Sequence, residues 1–225
     1  MFSTVFMKIL EGRPRTYDRW MNRVTRGSIS SIKQMVAAEV PHGSRVLEIG
    51  CGTGELAALL VDRDCSVDGF DINPGMVEVA RKRIGSEDLG DRFVASEMGV
   101  DGMDALPASR FDAIVATLVF SELSDDERRF GLKHAIRVLR PEGILVIADE
   151  VRPRPAGKRI LHALARAPAV ALTYLVSRET THPIEDLPGE MERAGFTLEK
   201  EVLHHGGAFA LVVGRSLTTG GRTEE

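Results

Sequence analysis

The chain has 225 residues, and 43% of them are hydrophobic, which is enough to bury one substantial core as a single α/β domain. Its net charge of −4 provides no general basic field, so no nucleic-acid partner is expected. Two cysteines do not make a disulfide framework and the first residues lack a signal-peptide pattern, so a cytoplasmic protein is predicted.

Residues 1–40 are predicted to be helical, because apolar residues recur there at helical spacing. These residues are Phe6, Ile9, Leu10, Ile29, Ile32, Met35 and Val36. The segment is predicted to form two helices. They serve either for packing or as a lid over a ligand. Tyr17, Asp18 and Trp20 are the polar and aromatic candidates within them.

A glycine-rich turn follows the first predicted strand. The sequence VLEIGCGTGE, from Val46 to Glu55, turns through Gly50, Gly52 and Gly54 into a predicted helix. Glycines at every second position let the backbone adopt positive φ and let a ligand approach without meeting a Cβ. The turn therefore predicts a flat, polar ligand.

A carboxylate, Asp71, ends the second predicted strand about twenty residues further on, the spacing at which it can accept both hydroxyls of a ribose. A nucleoside-containing ligand is therefore predicted. Glu55 stands where a dinucleotide site has its third glycine, and it would repel a pyrophosphate at the start of the helix. A nucleoside without a pyrophosphate is preferred.

Strand and helix alternate from Arg45 onward, which predicts crossover units and a parallel sheet. Asn73 is the predicted N-cap of a helix that begins at Pro74. The third and fourth strands are predicted at 92–95 and 111–118.

Ser124 and Glu127 predict a capping box at the start of the next helix. A turn at 141–143 leads into a buried fifth strand at 144–148. Two further strands, at 196–203 and 208–214, are separated by His204-His205-Gly206-Gly207, which indicates a hairpin.

Glu48, Gly50, Gly52 and Gly54 resemble motif I, ExGxGxG, of the class I S-adenosylmethionine (SAM) methyltransferases. The resemblance extends from about Pro41 to Arg215. It implies an α/β fold with a Rossmann-like sheet of seven strands, mostly parallel, with a C-terminal antiparallel hairpin strand. The cofactor it implies is SAM, with S-adenosylhomocysteine as the product.

The same resemblance divides the chain into segments. Residues 1–40 are expected to form the N-terminal helical lid and residues 41–150 the SAM-binding core. Residues 151–185 are expected to be inserted helices that recognise substrate or partner, and residues 186–215 complete the sheet. Residues 216–225 are predicted to be a disordered tail.

The resemblance also implies the cofactor contacts. Glu48 and the glycine turn would hold the methionine moiety, Asp71 the ribose, and Ile72, Glu97 and Met98 the adenine. The full implied set is Tyr17, Glu48, Gly50, Cys51, Gly52, Thr53, Gly54, Asp71, Ile72, Met76, Glu97, Met98 and Thr117.

Tyr17 and Glu122 are the catalytic candidates. Related ubiquinone and menaquinone C-methylating enzymes carry a Tyr-Asp pair before the core, as Tyr17 and Asp18 do here. Glu122 follows Ser121 where many small-molecule relatives have a histidine pair, although a capping or surface role for it is equally open. Methyl transfer is an in-line displacement for which positioning matters most and a base is optional. No metal is expected, because the histidines lack ligand spacing.

The segment from Arg152 to Arg178 combines a basic flank with apolar runs and is too short to span a bilayer. An apolar wall of the acceptor pocket is the first interpretation. A membrane-surface helix, a partner-docking helix and an ordinary packed helix are the alternatives.

Five segments resemble a narrower subfamily, the corrinoid-protein-associated methyltransferases: residues 6–11, 17–19, 97–99, 120–123 and 148–151. This resemblance implies a corrinoid protein as partner, and a Co(I) centre needs no base. The main hypothesis is methyl transfer to a small apolar acceptor or to such a corrinoid. The alternatives are a non-catalytic SAM-binding partner protein and a nicotinamide-dependent oxidoreductase.

Overall fold

A computed structural model describes residue 18 and residues 27–85, 92–153 and 183–217. Its centre is a seven-stranded sheet in the order β3-β2-β1-β4-β5-β7-β6. The strands are β1 Arg45–Ile49, β2 Ser66–Asp71, β3 Phe93–Glu97, β4 Phe111–Thr117, β5 Leu139–Glu150, β6 Phe196–His204 and β7 Phe209–Ser216.

The sheet is parallel from β3 through β5, and β7 pairs antiparallel with both β5 and β6. β7 therefore lies between β5 and β6 although it comes last in sequence. The predicted fold, a mostly parallel seven-stranded α/β sheet with a C-terminal antiparallel strand, is confirmed.

Helices cover both faces of the sheet. They are α1 Ser28–Glu39, α2 Glu55–Val61, α3 Pro74–Gly85, α4 Asp125–Val138 and α5 Leu187–Arg193, with short 3-10 helices at Val100–Ala105 and His205–Gly207. Apolar residues of α1, α2 and α3 pack on one face, and those of α4, α5 and the first 3-10 helix pack on the other. Alternate residues of each strand pack into one core or the other, as a sheet buried on both sides requires.

Local capping fixes where two helices begin. The Asn73 side-chain oxygen accepts a hydrogen bond from the Gly75 N–H at 2.9 Å, so α3 starts at Pro74 as predicted. The Ser124 hydroxyl accepts from the Glu127 N–H, and the Glu127 carboxylate accepts from the Ser124 N–H at 2.8 Å. The predicted capping box is therefore confirmed.

Two local predictions are wrong. The predicted turn at 141–143 lies inside β5, where the register with β4 shifts and Glu142 adopts φ 63°. A bulge absorbs the extra residues there, so the strand continues through them. His204 is the last residue of β6 and pairs with Phe209, so it does not belong to the turn.

Several predicted segments lie outside the described residues. They are the lid before Gly27 except Asp18, the insertion over residues 154–182, and the tail from residue 218. Tyr17 and Trp20 belong to the first of these segments. Within the described part of the chain, no helix combines the length and apolar character needed to cross a bilayer.

Candidate active site

The glycine turn, defined here as Gly50 to Gly54, crosses the carboxyl end of β1. Gly50, Gly52 and Gly54 have φ values of 68°, 52° and 78°, the left-handed region that glycine adopts without strain. The Cys51 N–H donates to the Phe70 carbonyl of β2 at 2.9 Å, which anchors the turn to the neighbouring strand. The prediction of positive φ at these glycines is confirmed.

Asp71 at the end of β2 is bound to the glycine turn. Its Oδ2 accepts a hydrogen bond from the Gly52 N–H at 2.9 Å, and its Oδ1 accepts from the Asn73 N–H at 2.8 Å. Burial raises the pKa of Asp71, and the two backbone donors oppose that rise. Each carboxylate oxygen has a second lone pair, so both can also receive a ligand hydroxyl.

Glu48 is the most unusual polar residue of the site. It is 3% exposed, and its Oε2 is buried without a hydrogen-bond partner among the described residues. Burial raises its pKa to about 8, with Lys33 lowering it and Asp71 raising it further. A buried carboxyl oxygen without a partner is costly, so this position suits a cationic or N–H-bearing ligand group.

Glu55 at the start of α2 is held by two residues of α1. Its carboxylate accepts from the Ser30 hydroxyl at 2.6 Å and from the Lys33 ammonium at 2.9 Å. Burial alone would raise the Glu55 pKa, but Lys33 and Ser30 outweigh burial and the pKa is lowered. A negative charge therefore lies where a dinucleotide site places its pyrophosphate.

Asp18 connects the N-terminal part of the chain to the glycine turn. Its Oδ1 accepts a hydrogen bond from the Thr53 hydroxyl at 2.6 Å, and its Oδ2 pairs with the Arg83 guanidinium of α3. Thr53 itself is buried. The Asp18 carboxylate thus connects the glycine turn to α3.

The residues predicted for adenine lie around the ends of β2 and β3. Ile72 follows Asp71 and is 78% exposed, so its side chain is available to a flat ring. Glu97 is exposed and lies opposite Asp71 in the sheet register. The Met98 N–H donates to the Asp71 carbonyl at 3.1 Å, whereas Met76 is buried within α3.

Burial also explains the behaviour of Cys51. The thiol is 3% exposed, and burial raises its pKa, so it stays protonated and is a poor nucleophile. A Cβ on Gly69 would lie 3.4 Å from its sulfur, which shows how closely the turn packs on β2. Cys51 contributes packing here.

Two further predicted site residues, Thr117 and Glu122, lie at the end of β4 and directly beyond it. The Thr117 hydroxyl is buried with no hydrogen-bond partner among the described residues. The segment Leu118 to Leu123, called the β4 loop below, follows it, and Glu122 in this loop is exposed. A Cβ on Gly50 would overlap Val119 Cγ2, so the β4 loop contacts the glycine turn directly.

Sequence reasoning missed Asp149 and the contribution of Lys33. Asp149 on β5 is 0% exposed, and its Oδ2 accepts from the Ser121 N–H at 3.2 Å. A carboxylate placed directly after the apolar run Ile144 to Ala148 was the signal that could have revealed it. Among the described residues, no group of three or more His, Cys, Asp or Glu side chains could hold a metal ion.

Comparison with known proteins agrees with this geometry. Residues 46–143 match the family described as "Methyltransferase domain". A demethylmenaquinone methyltransferase from Thermus thermophilus is 32% identical over 182 residues, covering 72% of this chain and 78% of the relative. The methyltransferase GfsG from Streptomyces halstedii is 33% identical over 164 residues, covering 71% of this chain and 55% of GfsG.

Among solved structures, a SAM-dependent methyltransferase from Thermotoga maritima superposes with a TM-score of 0.65 at 22% identity, covering 93% of this chain and 99% of that one. This likeness concerns the fold. The chain belongs to the class I SAM-dependent methyltransferases, as the resemblance predicted. It spans about half the length of several curated relatives that it matches.

Proposed function

We propose that this protein binds SAM across the glycine turn and transfers its methyl group to an acceptor held beside the β4 loop. The observation that carries this proposal is the buried Oε2 of Glu48, which has no partner in the described part of the chain and lies next to three glycines at positive φ. The α-ammonium group of SAM is a cation that carries N–H donors, which such an oxygen can accept. The pKa of Glu48, raised to about 8 by burial, would fall when the cation binds.

The described residues fit the rest of the cofactor. Asp71 would receive the ribose hydroxyls, and the exposed Ile72 would cover one face of the adenine. The ionised Glu55 disfavours a pyrophosphate, which counts against a nicotinamide dinucleotide. When bound, SAM supplies an electrophilic methyl group on a sulfonium. The protein's own task is then to hold the acceptor in line with that group.

The acceptor that we propose is a small apolar molecule or a corrinoid carried by a partner protein, without nucleic acid. The name of the Thermus thermophilus relative says that it methylates demethylmenaquinone, which supports the first of these. Glu122, exposed in the β4 loop, would position the acceptor or take its proton. A Co(I) acceptor would need no such base.

We propose a cytoplasmic location for the protein.

Two measurements test this function. Calorimetry with SAM, S-adenosylhomocysteine and NADH should show saturable binding of the first two compounds. Binding of NADH without SAM would overturn the proposal in favour of an oxidoreductase.

A turnover screen with labelled SAM should then cover phenols, quinols, thiols and a reduced corrinoid protein. Glu122→Gln should slow a phenol or quinol reaction, whereas the exposed Glu192→Gln on α5 serves as the control. SAM binding without turnover of any acceptor would favour the non-catalytic SAM-binding protein.

A further inference from the structure

Asp149 is a carboxylate buried at the carboxyl end of β5. Its Oδ1 accepts from the Glu150 N–H at 2.7 Å and its Oδ2 from the Ser121 N–H at 3.2 Å. The Ser121 hydroxyl also hydrogen-bonds this carboxylate. Among the described residues no cation pairs with it. Burying an unpaired carboxylate opposes folding, so its position calls for a role other than stability.

The contacts of Asp149 fix one side of Glu122, and Arg128 fixes the other. Arg128 is 6% exposed and donates to the Leu123 carbonyl at 2.8 Å. Its own Nε is bound by the Glu190 carboxylate of α5 at 3.0 Å. The exposed Glu122 therefore lies between two backbone groups that are each held by a buried charged side chain.

The other end of the β4 loop is equally constrained. Leu118 adopts φ 59°, a left-handed conformation that is unfavourable for a residue with a side chain. Its N–H donates to the Ala148 carbonyl at 3.0 Å. Val119 then packs against Gly50 of the glycine turn. The loop is thus held in one strained conformation between the cofactor turn and β5.

We propose that Asp149 is a positioning residue for methyl transfer: it holds the Ser121 backbone so that the β4 loop presents Glu122 to the acceptor. This inference rests on the proposed function, because it is the acceptor that would face the loop. Asp149 lies on the side of β5 that packs against α4, and its described hydrogen bonds are to Ser121 and Glu150 rather than to the glycine turn. It acts through Ser121.

The substitution Asp149→Asn tests this role with little change in shape. An ionised aspartate accepts hydrogen bonds on both oxygens, whereas an asparagine has one acceptor oxygen and one donor nitrogen. In either orientation, Asn would face one of the two backbone N–H groups with a donor. If Ser121 loses its acceptor, the β4 loop is released while the rest of β5 is unchanged.

The matched control is Asp112→Asn. The Asp112 Oδ2 likewise accepts from a backbone N–H, that of Arg45, at 2.8 Å, but at the opposite, amino edge of the sheet, and its Oδ1 also pairs with the Arg140 guanidinium at the surface. It therefore reports what losing a comparable hydrogen bond does to the protein in general.

We expect Asp149→Asn to lower kcat by about 10- to 100-fold for the acceptor found in the screen, because small displacements of positioning groups have effects of that size. The KM and Kd for SAM should stay within about twofold, since the described hydrogen bonds of Asp149 go to Ser121 and Glu150 and not to the glycine turn. Hydrogen exchange of residues 119–123 should be at least about tenfold faster than in the wild type. Asp112→Asn should leave kcat and this exchange unchanged.

Unchanged kcat and unchanged exchange in a folded Asp149→Asn variant would overturn the proposal. An equal loss of kcat in Asp112→Asn would also overturn it, because the effect would then be general. If Asp149→Asn does not fold, the Ser121 amide of the wild-type protein decides: exchange at least about tenfold slower than that of an unprotected amide supports the hydrogen bond to Asp149, and exchange at the unprotected rate contradicts the role. A wild-type protein that binds SAM but methylates nothing would contradict the proposed function, while the exchange of residues 119–123 would still test whether Asp149 holds the loop.

Discussion

The Asp71 carboxylate accepts a hydrogen bond from the Gly52 N–H at 2.9 Å, so the residue predicted to bind ribose also holds the glycine turn in place. Its other oxygen accepts from Asn73, the residue that caps α3. One side chain therefore connects the end of β2, the glycine turn and the start of α3. The local geometry of the site therefore depends on the carboxylate that is predicted to bind the ribose.

Asp71→Ala should weaken SAM binding by a few kcal/mol at most, because it removes charge-assisted hydrogen bonds to two hydroxyls. Titration calorimetry with SAM and S-adenosylhomocysteine measures this loss. Asp68→Ala is the control, since Asp68 lies on the same strand but pairs with Arg45 and Arg110 at the other edge of the sheet. Unchanged affinity in Asp71→Ala would show that the ribose lies elsewhere.

SAM affinity should rise with pH between about 5.5 and 7.5, by at most about tenfold per unit. Burial raises the pKa of Glu48 to about 8, so the ligand-free carboxyl is protonated in this range. A bound ammonium group favours the ionised form, so binding releases a proton and is favoured by higher pH. Calorimetry in two buffers of different ionisation enthalpy measures that proton. In Glu48→Gln the released proton should be absent.

The same pKa shift predicts how stability depends on pH. The pKa of Glu48 lies near 8 in the folded protein and near its ordinary value of 4.5 in the unfolded chain. Between pH 4.5 and pH 8, the folded state therefore binds a proton that the unfolded chain has released. Stability is therefore lost as pH rises through this window, by about 4 kcal/mol at pH 8. Ligand-free Glu48→Gln should melt above the wild type at pH 8 and converge with it towards pH 5. Equal melting temperatures at both pH values would contradict the raised pKa.

Gly50→Ala should destabilise the protein by more than its backbone conformation alone requires. A non-glycine residue at positive φ costs roughly 1–2 kcal/mol, and the new Cβ would also overlap Val119 Cγ2. Gly43→Ala measures the first contribution by itself, because Gly43 has φ 72° and, apart from its chain neighbours, no atom of the described residues lies within 4 Å of the position of its Cβ. Denaturant unfolding compares the two variants. Val119→Ala should recover part of the loss in Gly50→Ala but none in Gly43→Ala.

Asp18 and Thr53 should be energetically coupled, because the Thr53 hydroxyl donates to Asp18 at 2.6 Å across 35 residues of sequence. Asp18→Ala and Thr53→Val each remove this bond, and the double variant should lose less than the sum of the two single losses. A coupling of about 1 kcal/mol is expected for one partly buried charged hydrogen bond. Denaturant unfolding of the wild type, the two single variants and the double variant gives the double-mutant cycle. Strict additivity would mean that the hydrogen bond between Asp18 and Thr53 contributes nothing to stability.

Local signals predicted the elements that depend on local chemistry. The glycine turn, the Asn73 cap and the Ser124–Glu127 box each lie within a few residues, so residue type and spacing determine them. The antiparallel β7 was predicted from the strand-like runs at the end of the chain together with the family resemblance.

Contacts between residues far apart in sequence could not be predicted from residue type and spacing. The ion pair between Lys33 and Glu55 and the contact of Asp149 with Ser121 join residues 22 and 28 positions apart, and only the folded sheet brings them together. The exposure of Glu122 likewise depends on how the β4 loop packs against Gly50. The bulge in β5 was predicted to be a turn because proline and glycine, here Pro141 and Gly143, are common in turns as well as in bulges.

The interior position of β7 has a consequence for biosynthesis. β6 leaves the ribosome first, yet its hydrogen-bonding neighbour in the sheet is β7, which ends at Ser216. Until β7 emerges, β5 has an open edge and β6 lacks the strand with which it pairs in the described sheet. A nascent chain halted before Phe209 should therefore remain incompletely folded and prone to pair its unsatisfied strands with other chains.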